Sequence, residues 1–142
     1  MPLLLEQFAG KVSYVGCDIV ESLVKDHAEK YPRYEFRSID FVVDEIPKAE
    51  LIICRDALQH RPLPDIKTAL KNFSASGAKY LLTTTHIRRF GFRNGRNIRP
   101  GRCRDRNLLM TPFNLPDPIV IYSEKYPDQH KFLGLWELPF GE

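Results

Sequence analysis

Three short stretches decide how this chain is read: Tyr14-Val15-Gly16-Cys17-Asp18-Ile19, Ser38-Ile39-Asp40-Phe41 and Leu51-Ile52-Ile53-Cys54-Arg55-Asp56. In each, an apolar run stops at an acid. Parallel sheets bind ligands at the carboxyl ends of their strands, so an acid placed there faces a ligand rather than the core. No glycine-rich turn precedes the first stretch.

Helical and extended patterns alternate around these stretches. Leu4, Leu5 and Phe8 share one face of a short helix stopped by Gly10. Val12 to Cys17 reads as a strand. Val20, Leu23, Val24, Ala28 and Tyr31 recur at helical spacing before Pro32. Tyr34 to Ile39 alternates like a strand, and Leu51 to Cys54 is a compact apolar one. Pro64-Asp65 suits a helix first turn, since proline has no N–H to leave unpaired and the acid meets the positive dipole end. Ile66, Ala69, Leu70 and Phe73 form that helix's apolar stripe, and Gly77 stops it. Tyr80 to Thr85 is a β-branched, apolar strand. The order predicts a layered α/β domain over residues 1–142 with a mostly parallel sheet.

From His86 to Pro118 the period is lost, and Arg, Asn and Pro dominate. A connection this long without structure of its own is usually functional or disordered. Ile119 to Tyr122 and Phe132 to Leu138, separated by Tyr126-Pro127-Asp128, predict a C-terminal antiparallel hairpin.

Composition fits a soluble globular domain. The 142 residues are 43% hydrophobic and 27% charged, with a net charge of +3. That charge is too small to imply nucleic acid by itself. The three cysteines are odd in number and scattered, which argues against a disulfide framework. Neither a membrane span nor a signal peptide is evident, so a reduced, cytoplasmic domain is expected.

The acids suggest a chemistry. Asp18 is placed to accept hydrogen bonds from ribose hydroxyls. Asp40, on the next strand, can accept from an exocyclic amine such as that of adenine, with Phe41 or Ile19 against the base. The plainer alternative makes both acids ordinary turn residues, a setting that favours Asp.

The chain resembles the class I S-adenosylmethionine-dependent methyltransferases. The resemblance rests on Tyr14 to Val20, on Ala49-Glu50-Leu51-Ile52-Ile53-Cys54-Arg55-Asp56-Ala57-Leu58-Gln59-His60, and on Ser76 to Thr85. It continues through Arg106-Asn107-Leu108, Pro112-Phe113-Asn114-Leu115-Pro116 and Leu133-Gly134-Leu135-Trp136. It implies a Rossmann-like three-layer sandwich whose C-terminal antiparallel pair distinguishes it from dinucleotide-binding folds. It also implies S-adenosylmethionine as cofactor, with Asp18 and Ile19 at the ribose and Asp40 and Phe41 at the adenine. Cys54, Arg55 and Asp56 would lie near the methionine part or the methyl group.

The resemblance further implies a first, central strand ending in an acid and a Gly-x-Gly turn that cradles the methionine moiety. These 142 residues contain no such segment. The chain is therefore expected to be N-terminally truncated, to bind S-adenosylmethionine weakly or not at all, and to admit a partner chain at its incomplete sheet. In the long loop, Asn97 and Cys103 replace an expected acid and tryptophan.

Methyl transfer from a sulfonium needs mainly in-line positioning, with a base where the acceptor is protonated. His60 is the candidate base, with a loop-capping histidine as the plainer reading. Asp56 either orients the acceptor, which the sequence does not identify, or pairs with Arg55. The loop holds Arg88, Arg89, Arg93, Arg96, Arg99, Arg102, Arg104 and Arg106, interleaved with Phe90 and Phe92. Its plainer reading is a solvated surface; its sharper one is RNA, bound through arginine forks and stacked rings. Neither the histidines nor the cysteines show metal-ligand spacing. Trp136 and Leu138 read as core. A non-catalytic remnant of the same fold, acting by binding, is the alternative to an enzyme.

Overall fold

The computed structural model describes residues 7, 10–88, 90–95, 97–99, 102–124 and 130–140. The helix expected over Leu4, Leu5 and Phe8 and the turn at Tyr126-Pro127-Asp128 lie outside them. The chain divides into two compact units, Met1–Pro47 and Lys48–Glu142.

The first unit contains β1 (Val15–Asp18), α1 (Glu21–Lys30) and β2 (Glu35–Ser38). The two strands pair in parallel, from Val15 opposite Glu35 to Asp18 opposite Ser38. Aromatic side chains hold them. Tyr14 meets Tyr34 and Phe36 edge-on at 5.7 and 6.2 Å, and His27 of α1 stacks on Phe36 at 5.6 Å. Gly16 must be glycine here, because a Cβ would sit 2.5 Å from the Phe36 ring. The apolar stripe expected to bury α1 does not do so. No residue of the helix is buried, and Val20 and Leu23 are both 43% exposed. A two-stranded ribbon offers too little surface to cover a helix face.

The second unit contains β3 (Leu51–Cys54), a 3-10 turn (Leu58–His60), α2 (Leu63–Ala75), β4 (Tyr80–His86), β5 (Val120–Ser123) and β6 (Lys131–Glu137). Its strand order is β3-β4-β6-β5. The β3–β4 ladder is parallel, while β6 runs antiparallel to both β4 and β5. The C-terminal hairpin is thus present, with β6 inserted between β4 and β5. Among the described residues the strands form two sheets rather than one, with as many antiparallel ladders as parallel. Among the described residues, β1 and β3 each have a ladder on one edge only.

The core of the second unit follows the sequence closely. Ile66, Ala69, Leu70 and Phe73, spaced to share one helix face, are all buried. They accompany Leu58, Leu81, Leu108 and Trp136. Trp136 also donates from Nε1 to the Pro116 carbonyl at 2.7 Å. Its ring lies against Gly134, where a Cβ would come within 2.3 Å of it. One face of β3 stays open, leaving Leu51 and Ile53 exposed while Cys54 is buried.

Residues 87–119 contain no helix or strand among those described, yet they are firmly tied. Thr85 Oγ1 accepts from the Leu108 N–H at 3.0 Å. Asn94 Nδ2 donates to the carbonyls of Asn107 and Thr111, both at 2.8 Å, and Asn94 Oδ1 accepts from the Asn107 N–H at 2.7 Å. Polar side chains here replace the ladder that satisfies backbone groups elsewhere. No helix among the described residues is long and apolar enough to cross a membrane.

Candidate functional site

In the first unit, the structure brings Asp18, Ile19, Asp40 and Phe41 to one end of the β1–β2 ribbon. Asp18 is opposite Ser38 in the ladder, and the Ile39 N–H donates to the Asp18 carbonyl at 3.0 Å. Both acids also shape their own turns. Asp18 Oδ1 accepts from the Val20 N–H at 2.9 Å, and Asp40 Oδ1 accepts from the Val42 N–H at 3.0 Å. These are Asx turns, the local bonding that makes Asp common in turns. The turn and ligand roles are compatible at Asp18. Its Oδ1 is fixed by the turn, while Oδ2 makes no bond among the described residues and can accept from a ligand hydroxyl. Ile19 is 53% exposed beside it, and Phe41 is half-buried.

In the second unit, Cys54, Arg55 and Asp56 follow one another at the end of β3, but their side chains diverge. Cys54 is buried, and burial pushes its thiol up to about 12, which suits core packing and not nucleophilic chemistry. Thr83 Oγ1 donates to its carbonyl at 2.7 Å. Arg55 reaches β5's end instead, donating from Nε and Nη2 to Glu124 Oε1 at 2.9 and 2.6 Å. Asp56 takes a left-handed backbone conformation, φ 56°, with its N–H bonded to Thr84 Oγ1 at 2.9 Å. Such a conformation outside glycine recurs at functional sites.

The Asp56 carboxylate is clasped by Lys131 Nζ, at 2.6 Å from Oδ1 and 2.8 Å from Oδ2. Lys131 also lies 3.3 Å from Glu124 Oε2. Burial works to raise Asp56, but Lys131, Arg55 and Gln59 outweigh it and hold the carboxyl below its usual range. Lys131 is held above its own range, since Asp56 and Glu124 outweigh its burial. An acid so stabilised as an anion is a poor proton acceptor and a good receiver of N–H donors. His60 sits exposed on the 3-10 turn, with no hydrogen bond or ion pair from its ring among the described residues.

Sequence reading missed the members of this cluster contributed by the hairpin, Glu124 and Lys131. It also grouped Arg106 with the loop's other arginines, read as a solvated surface or an RNA contact, whereas Arg106 is only 1% exposed. Arg106 Nη1 donates to the Asn94 carbonyl at 2.6 Å, but Nε and Nη2 are buried without a hydrogen bond. Burial, then the charge of Arg104, pulls its guanidinium below the usual arginine range. Its backbone N–H donates to His86 Nδ1 at 3.2 Å. No group of three or more His, Cys, Asp or Glu side chains among the described residues is arranged to hold a metal ion.

Solved structures share the overall fold. The PH0226 protein from Pyrococcus horikoshii OT3 superposes with a TM-score of 0.68 at 13% identity, over 96% of this chain and 76% of that one. The CMeT domain of the citrinin polyketide synthase superposes with a TM-score of 0.66, also at 13% identity. That match covers 99% of this chain and 42% of the other, so the chain spans less than half of that longer protein segment. The chain shares the fold of these two structures. No protein-family model matches it, and no curated protein does. At this identity the likeness is one of fold.

Proposed function

We propose that this chain carries the adenosine side of a methyl-donor site in a class I methyltransferase-like fold. The observation that supports it most is the insertion of antiparallel β6 between β4 and β5, in a chain whose other strands β1, β2 and β3 lead at their carboxyl ends into Asp18, Asp40 and Asp56. A dinucleotide-binding sheet would continue in parallel at that edge. Asp18 holds the ribose, Asp40 the adenine amine, and Ile19 and Phe41 flank the base. S-adenosylmethionine supplies an activated methyl group, and the protein's part is to position it against the acceptor. No Gly-x-Gly turn occurs in these residues to cradle the methionine half.

A second reading draws on the clasp of Arg55, Asp56, Glu124 and Lys131. Groups engaged with one another are not free for cofactor or acceptor, which favours a non-catalytic module that binds a partner.

Adenosine titration followed by amide NMR tests the first reading. Millimolar adenosine is expected to shift the amides of Asp18, Ile19, Asp40 and Phe41. Asp18→Asn should weaken binding roughly tenfold, by loss of a charge-assisted hydrogen bond worth ~1.5 kcal/mol. Unperturbed amides at these four positions under saturating adenosine would leave the binding-module reading in its place.

A further inference from the structure

Charge is distributed very unevenly along the chain. Residues 87–118 contain eight arginines, two aspartates and no lysine or glutamate, a net +6 in a chain whose total is +3. The remaining residues together are acidic. Within the segment, Arg88 pairs with Asp105. Arg93, Arg99 and Arg102 are exposed and make no ion pair among the described residues. Phe90, between arginines in the sequence, is 89% exposed, the most exposed of the large apolar side chains described.

The segment's two halves are held together. Asn94 is bonded to Asn107, Arg106 reaches the Asn94 carbonyl, and the Arg102 N–H donates to the Arg99 carbonyl at 3.2 Å. The Arg104 guanidinium lies so close to Gly95 that a Cβ there would be 2.7 Å from it, so Arg104 and the Arg93–Gly95 stretch adjoin. Beneath them lies Arg106, a buried cation with two unbonded N–H-bearing atoms and no carboxylate partner among the described residues. A surface with such a charge underneath attracts anions beyond what its exposed groups supply.

We propose that the segment between β4 and β5 is a docking surface for single-stranded RNA. The exposed arginines meet phosphates, and Phe90 stacks on an unpaired base. The stacking ring is what selects the form of the polyanion. A duplex already has its bases stacked and offers Phe90 no partner, whereas a single strand presents a free face at every nucleotide.

Fluorescence anisotropy with a labelled 20-nucleotide oligo(U) tests the proposal. Three phosphate contacts imply a slope of about −2 in log affinity against log salt, or roughly a twenty-fold loss between 50 and 200 mM salt. Phe90→Ala should weaken binding roughly tenfold with the slope unchanged, the loss of one base stack. The triple variant R93E/R99E/R102E should abolish binding, with circular dichroism reporting that it remains folded. Should that variant fail to fold, the salt slope of the natural chain and the Phe90→Ala effect decide. The proposal is overturned by no binding at 50 mM salt, by affinity independent of salt, or by equal affinity for a duplex of the same length.

Discussion

Gly134→Ala is expected to destabilise the second unit by about 3 kcal/mol, near the upper end of what overpacking a core costs. The added methyl would lie 2.3 Å from the Trp136 ring, less than any real contact allows. The ring cannot easily move away. It is 1% exposed, and shifting it would break its 2.7 Å bond to the Pro116 carbonyl and leave that carbonyl unpaired. Gly134 is central to β6, opposite Thr83 of β4 and Ile121 of β5, so backbone retreat would disturb two ladders. Trp136 is the only tryptophan, and its fluorescence during thermal unfolding reports this unit directly. A fall in Tm of about 10–20 °C is expected. Followed by circular dichroism, adding Trp136→Leu should restore part of the loss by removing the ring that clashes; a Gly134→Ala protein as stable as the natural one would contradict this packing.

Arg106→Met is expected to have the opposite sign, stabilising by about 2 kcal/mol. A buried guanidinium without a carboxylate bears most of the cost of leaving water, and replacing buried charges with apolar groups of similar shape is often stabilising. Methionine's unbranched chain can occupy the same path. The substitution loses the bond from Nη1 to the Asn94 carbonyl, which offsets about 1 kcal/mol of the gain. In urea, the midpoint should rise with the slope unchanged. A lower midpoint would mean that the guanidinium is compensated within the folded chain. The same variant should bind oligo(U) less well, since it removes the charge beneath the arginine surface. Stability and RNA affinity are thus expected to move in opposite directions.

What the sequence made legible was local. The stripe Ile66, Ala69, Leu70 and Phe73 fixed α2 because helical period and burial coincide within one element. β3 lies where the apolar run Leu51 to Cys54 placed it, and the hairpin strands differ from expectation by a residue at most edges. The openness of α1 was not legible. Its apolar spacing is real, but burial depends on what surface is present to meet it. The clasp was equally hidden, because Arg55 and Glu124 are 69 residues apart and Asp56 and Lys131 are 75 apart. No spacing rule links such positions; only the antiparallel return of β6 beside β4 brings them together. The consecutive threonines of β4 read as β-branched strand formers. Their hydroxyls also tie down the β3 end and the irregular segment, at Cys54, Asp56 and Leu108.

The candidate site was legible to a similar degree. Asp18 and Asp40 were found as acids ending strands, and the structure sets both at one end of the β1–β2 ribbon. The Asx turn at Asp18 shows why a turn residue and a candidate ligand-binding residue look alike in sequence: one carboxylate has two oxygens, and this turn uses one. Cys54 could not be separated from Arg55 and Asp56 by sequence, since strand alternation sends neighbours to opposite faces and the start of the alternation was not known.

On the proposed reading, the chain recognises the adenosine half of a methyl donor and lacks the cradle for the methionine half. Isothermal titration of the 142-residue chain with adenosine and with S-adenosylmethionine compares the two directly. Both are expected to bind at about 1 mM, close to −4 kcal/mol, with no advantage for the larger ligand. Binding of S-adenosylmethionine at about 1 μM, roughly a thousandfold tighter than adenosine, would contradict it.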